Sequence, residues 1–222
     1  MNSNLKIDII VQARLGSKRL PNKVLADLHG KSMFEFLIKR LKKSTKVNNI
    51  FLATTTNRID DLLVSKAKIL GIGVVRGSQD DVLTRFYDAS KKSNADVFIR
   101  VTGDCPFLDK FLLEDLINEF ITQKVDYLSN FNPPCLPDGL DLEIFNRKAL
   151  EMAYENCNDI GQREHVTPWM RESKDIKIGS LLYTKNLSNY RLTVDEPEDL
   201  SLVREILRRF NYAPNIRWEQ IV

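Results

Sequence analysis

The 222 residues, 43% of them hydrophobic, suffice for one sizeable core and fall short of two full domains. With 33 Lys and Arg against 30 Asp and Glu the net charge is +3, too balanced for a protein that coats nucleic acid by charge alone, so any polyanion site must be local. No run reaches the roughly 18 apolar residues of a membrane span, the N-terminus lacks a signal-peptide pattern, and Cys105, Cys135 and Cys157 are odd in number and widely spaced, which predicts a cytoplasmic protein with free thiols.

Residues 6–12 read as a first strand, apolar enough to be buried on both faces as in a parallel sheet. It empties into a loop over 13–23 that gathers Arg14, Gly16, Ser17, Lys18, Arg19, Pro21 and Lys23. Ser32 followed by Glu35 reads as a capping box ahead of a helix that ends near Lys43 and carries Phe34, Leu37, Ile38 and Leu41 on its apolar stripe. A strand over 49–54 comes next. A helix over about 60–70 has Leu62, Leu63, Ala67 and Leu70 as its inner face and Gly71 as its stop. Val74 and Val75 mark a short strand, 80–92 a helix and 96–101 a strand, an alternation that predicts parallel strands joined by right-handed helical crossovers.

A helix is expected over 109–123 and a strand over 125–129. Beyond Asn130 the pattern changes: Pro133, Pro134, Pro137 and Gly139 crowd together, and residues 140–145 then alternate as a strand with one polar face. Helices over 147–156 and 159–171 and a strand over 176–183 complete a block, 131–184, that reads as an excursion from the sheet within a single domain spanning 1–222. Residues 192–194 return as a strand ending at Asp195, and Pro197 opens a helix that carries Leu200, Val203, Ile206 and Leu207 inward.

In an open parallel sheet, ligands bind beyond the carboxyl ends of the strands. Three such ends carry reactive groups: the 13–23 loop, Gly103 with Asp104, and Asp195 with Glu196. Gly16 lets the backbone approach a ligand, Ser17 adds a hydroxyl, and the four cations can neutralise a phosphate chain. The spacing is not that of a Walker loop. Two separated carboxylates suit magnesium, which takes carboxylate oxygens together with the phosphate oxygens of a nucleoside triphosphate. The bland readings stand beside these: a solvated basic turn, a turn residue at Asp104, and an ordinary helix cap at Asp195.

The run Gln12-Ala13-Arg14-Leu15-Gly16-Ser17-Lys18-Arg19-Leu20-Pro21-Asn22-Lys23 resembles the signature of the sugar cytidylyltransferases, in the branch named after the spore coat polysaccharide biosynthesis protein SpsF. The likeness continues, in order, in Ala53-Thr54-Thr55, in residues 76–83, in Arg100-Val101-Thr102-Gly103-Asp104-Cys105-Pro106, in residues 137–143, in Arg163-Glu164-His165-Val166-Thr167-Pro168 and in residues 194–200. It extends more distantly to the synthetases that activate sialic acid and 3-deoxy-manno-octulosonate with CTP. The resemblance implies an α/β fold, a Rossmann-like three-layer sandwich of the nucleotide-diphospho-sugar transferase type, in a homodimer built partly on the excursion. It implies that Arg14, Ser17 and Lys23 touch the triphosphate of CTP, that Gly16 admits it with Ala13 and Lys18 alongside, that Arg76 and Thr102 meet the pyrimidine or ribose, and that Asp104 and Asp195 hold Mg2+.

The acceptor is expected on the side of Asp138, Asp141 and Glu143, whose carboxylates could meet sugar hydroxyls or an amine, and of Arg163 and His165, near a helix start, where an acceptor carboxylate, phosphate or ionising hydroxyl could be met. For His165 a structural hydrogen bond is the competing reading. The expected partners are CTP and a small-molecule acceptor, with no nucleic acid and no membrane. Two other functions stay open on the sequence: a glycosyltransferase using a nucleotide sugar, for which Asp141-Leu142-Glu143 is only a loose Asp-x-Asp, and a non-catalytic nucleotide-binding protein.

Overall fold

The computed structural model describes residues 5–213 and 215–222. Four parallel strands come first: β1 (Ile7–Gln12), β2 (Asn49–Thr55), β3 (Gly73–Gly77) and β4 (Val97–Thr102). They are connected through α1 (Met33–Leu41), α2 (Asp61–Ile69) and α3 (Val82–Lys92). After α4 (Lys110–Gln123) the chain adds β5 (Tyr127–Ser129), β6 (Glu143–Asn146), α5 (Arg147–Asn156), α6 (Ile160–His165), α7 (Pro168–Glu172), β7 (Ile178–Ser180) and α8 (Pro197–Arg209). One sheet takes all seven strands in the order β3-β2-β1-β4-β6-β5-β7.

Strand periodicity divides the apolar residues between two cores. Ile9, Val11, Ile99, Val101, Leu128 and Ile144 face α1, α2, α4 and α8, whereas Ile10, Phe98, Tyr127 and Phe145 face α3, α5 and α7. This is the three-layer α/β sandwich. β1 is buried along its length except at Gln12, and that includes the charged Asp8, whose carboxylate accepts from the Asn49 backbone N–H at 2.9 Å and from the Ser93 hydroxyl.

The second half departs from the expected pattern. β6 is antiparallel to both β4 and β5, so the sheet is mixed rather than all parallel. The block over 131–184 is not an excursion from the sheet, because β6 lies inside it and β7 forms its edge. Glu143, expected on a polar face, is buried between β4 and the following helices. The helix expected over 159–171 is broken into α6 and α7, since Pro168 lacks the N–H that would continue the first and its ring clashes with the preceding turn; Val166 takes φ 72° at the break. Residues 192–194 are extended but form no strand. Leu192 and Thr193 instead donate to the Asp138 carbonyl (2.7 and 3.1 Å) and Val194 donates to that of Asp104 (2.9 Å).

Smaller differences are local. Leu62 points out of α2 with 64% of its surface exposed, leaving Leu63 and Ala67 as the buried face. The Ser32 hydroxyl caps α1 by accepting from the Glu35 N–H, but the Glu35 carboxylate accepts from Lys39. The three cysteines are free and buried.

Candidate active site

The loop after β1 is held by its own core anchor. Leu15 is buried, and its N–H donates to Asp60 Oδ1 at 2.7 Å. Asp60, 1% exposed, also accepts from the Thr55 N–H and hydroxyl at the end of β2. The carboxylate read from sequence as the start of a helix therefore ties the basic loop to its neighbouring strand. Asn22 closes the loop in the left-handed region (φ 58°), its N–H on the Leu15 carbonyl, and Lys23 opens a 3-10 turn.

Two close backbone approaches bring the acids to Lys23. Gly103 donates to the Gln12 carbonyl at 2.9 Å, and a Cβ there would stand 2.7 Å from that of Ala13, so the end of β4 lies flush against the loop. Gly139 (φ +100°) lets the 137–140 turn press on the extended 192–194 segment, where a Cβ would meet the Thr193 nitrogen at 2.3 Å. Asp104 and Asp195 are the residues that follow.

Between them sits Lys23. Its ammonium donates to Asp104 Oδ2 (2.7 Å), to Asp195 Oδ1 (2.7 Å) and to the Val194 carbonyl (2.8 Å), which uses all three N–H groups. Burial alone would lower the Lys23 pKa, but the two carboxylates outweigh it and the net shift is upward. Burial works against ionisation of Asp195 as well, and Lys23, Arg191 and Arg19 outweigh it, so its pKa falls below the usual carboxylate value. Arg19 reaches Asp195 Oδ1 at 2.9 Å; Arg191 reaches Oδ2 at 2.6 Å.

Lys23, Asp104, Asp195 and Arg19 line a cavity of about 500 Å³. Ala13, Arg14, Ser17, Lys18, Lys23, Thr102, Asp104, His165 and Asp195, all singled out in the sequence, line it together. So do Gln79, Arg85 and Glu164, which sequence reasoning missed. Arg85 had a signal: it falls on the buried face of α3 among Val82, Leu83, Phe86 and Ala89. Burial lowers its pKa to about 10, and the nearby Arg14 adds to the effect. A Cβ at Gly16 would meet only Gln79 Oε1, at 4.0 Å, so the residue borders open space without lining the cavity wall.

The remaining sequence candidates are placed elsewhere. Arg76 lies outside the lining, its guanidinium spent on the Thr55 and Asn57 carbonyls (2.8 and 2.9 Å) and on Asp61 (2.6 Å). Arg163 joins α6 to α3 through Asp81 (3.0 Å) and Thr84 (2.8 Å). Glu143 accepts from Arg100, the Tyr127 hydroxyl and Thr167. Asp138 pairs with Arg191. Asp141 precedes β6 rather than lying on it, and burial, with the neighbouring Asp138, pushes its pKa up to about 6. Of the five residues expected to meet an acceptor, only His165 lines the cavity.

The acid pair fits a hard divalent cation. Two carboxylate oxygens already converge at 2.7 Å on one positive centre, and no group of three or more His, Cys, Asp or Glu suited to a metal occurs among the described residues. A magnesium ion held there would have to complete its shell with phosphate oxygens and water, which is its ordinary preference.

The chain matches the cytidylyltransferase family over residues 9–220. It is 30% identical to the spore coat polysaccharide biosynthesis protein SpsF of Bacillus subtilis, over 96% of this chain and 91% of that protein. The cytidylyltransferase of Leptospira borgpetersenii superposes with a TM-score of 0.93 at 31% identity, covering 98% of this chain and 92% of that one. CMP:2-keto-3-deoxy-manno-octonic acid synthetase, solved in complex with CTP, shares the fold at a TM-score of 0.69 and 18% identity, over 92% and 99% of the respective chains.

Proposed function

The chain belongs to the cytidylyltransferase family and is an enzyme of it; from that premise we propose that it transfers CMP from CTP to a sugar or sugar-like acceptor, with release of pyrophosphate, in the making of a surface polysaccharide or glycan precursor. The observation that carries this reading is the convergence of Asp104 and Asp195 on Lys23 at the foot of a cation-lined cavity. The relationship to SpsF supports the polysaccharide setting. One sheet built from both halves of the chain supports treating 1–222 as a single nucleotidyltransferase domain.

Lys23 and Arg14, with Ser17 and Lys18, receive the triphosphate and offset the charge that gathers on the departing pyrophosphate. An acceptor oxygen attacks the α-phosphorus in line. Asp104 and Asp195 would hold the Mg2+, which would polarise phosphate oxygens and neutralise their charge. Thr102, Gln79 and Arg85, on the walls toward β4 and α3, take the nucleoside end. His165 is the imidazole of the cavity wall and receives the acceptor's proton. The positioning is done by the buried Leu15 and Asp60 and by the backbone approach at Gly103, which fix the loop before any ligand arrives.

The test is a pyrophosphate-release screen of CTP, UTP, ATP and GTP against acidic octulosonic and nonulosonic sugars, amino sugars and polyols. Release that requires CTP and an acceptor supports the proposal. Consumption of a sugar nucleotide without pyrophosphate would replace it with glycosyl transfer.

A further inference from the structure

Lys23 has a second consequence, and it rests on the metal assignment proposed above. The two carboxylate oxygens that a divalent cation would need, Asp104 Oδ2 and Asp195 Oδ1, are the two that the ammonium holds at 2.7 Å. The third N–H is fixed on the Val194 carbonyl, and the residue is only 9% exposed. An ammonium and a divalent ion cannot share this position, since both are cations seeking the same lone pairs. Asp195 Oδ2 accepts from Arg191 at 2.6 Å, and Arg19, 59% exposed, shares Oδ1 at 2.9 Å, so Lys23 is the buried cation that bridges the two acids.

We propose that Lys23 is the counter-ion that keeps divalent metal out of the Asp104–Asp195 pair until a triphosphate draws the ammonium away, so that metal and nucleotide enter with positive coupling. Lysine suits this exchange. Its charge is compact, its stem is flexible, and the loop bearing it already carries Arg14, Ser17 and Lys18 to the cavity where the phosphates would lie. The coupling is reciprocal: whatever the triphosphate adds to metal affinity, the metal adds to that of the triphosphate.

The experiment is Mn2+ binding to the nucleotide-free protein, read by electron paramagnetic resonance of the unbound ion. Lys23→Met is expected to bind Mn2+ roughly tenfold or more tightly than wild type, the factor by which a competent state populated at about 10% or less lowers an apparent affinity. Lys23→Arg, which keeps the charge, should exclude the ion as wild type does, and Lys23→Gln should behave as Lys23→Met if the latter folds poorly. The gain must vanish in Lys23→Met/Asp104→Asn. Equal affinity in wild type and the neutral variants, or binding that survives the loss of Asp104, overturns the proposal. Pyrophosphate release from CTP by wild type is scored separately: its presence beside a failed Mn2+ result removes the gate alone, and its absence beside a successful one removes the proposed function alone.

Discussion

Lys23 Nζ lies 2.7 Å from Asp104 Oδ2, an ion pair that ties the loop after β1 to the end of β4 across the floor of the cavity. The contact joins a group proposed to receive phosphate to one proposed to hold metal. Asparagine at 104 keeps an oxygen that can accept from Lys23, so the fold should survive where metal binding does not. Asp104→Asn and Asp195→Asn are expected to lower pyrophosphate release by about 100-fold or more, the order seen when one charge-stabilising group is lost, with the thermal midpoint little changed. Turnover within a few-fold of wild type would remove both residues from the metal site.

Arg191 reaches Asp195, Asp199 and Asp138 from one guanidinium and so fixes the orientation of the Asp195 carboxylate. Its side chain is 41% exposed, so solvent screening limits its share of stability to about 1 kcal/mol. The larger expectation is positional. Arg191→Ala should shift the Mg2+ titration of turnover to higher concentration, with rate partly recovered at saturating metal. An unshifted titration with a uniformly lower rate would make the arginine merely structural.

Gly139 is required by conformation and by space together, with φ at +100° and the Thr193 nitrogen where a Cβ would go. Gly139→Ala should cost at least about 2 kcal/mol in chemical denaturation, from the strained backbone and the displaced 192–194 segment. Activity should fall further than stability predicts, because that segment carries Asp195. A stability within 0.5 kcal/mol of wild type, roughly the ordinary surface range, would contradict this.

Asp141 supplies a pH signature. Burial pushes its pKa up to about 6, above the 3.8 of a solvated carboxyl, so between these values the folded state binds the proton that the unfolded state has released. Stability from this group is therefore lost as pH rises through that window. The difference of about 2.2 corresponds to an upper bound of about 3 kcal/mol at neutral pH. Asp141→Asn should be more stable than wild type at pH 7.5 and near parity at pH 3.5 in urea titrations; a difference independent of pH would show that the carboxyl is not shifted.

Legibility followed the range of the physics. The first half of the chain builds parallel strands and helices from local periodicity, and there sequence and structure agree to within a residue or two at most ends. The antiparallel insertion of β6 beside β4 depends on a pairing such as Arg100 with Glu143, distant in sequence, which no local pattern encodes. Among the residues that line the cavity, the loop cations and both aspartates were legible as candidates because charge clustered at strand ends is locally visible. Asp60, Arg85 and Arg191 were not, since each works through a partner distant in sequence or in an unexpected burial state. The converse held for Glu143 and Arg163, whose charges suggested a ligand but are spent within the protein.

The most direct measurement is phosphorus NMR of CTP, Mg2+ and the acceptor panel incubated with wild type and with Asp104→Asn. Wild type is expected to yield pyrophosphate and a new CMP phosphodiester, dependent on acceptor, and the variant to leave CTP intact. Equal conversion by Asp104→Asn, or preferential use of another nucleoside triphosphate, would contradict that expectation.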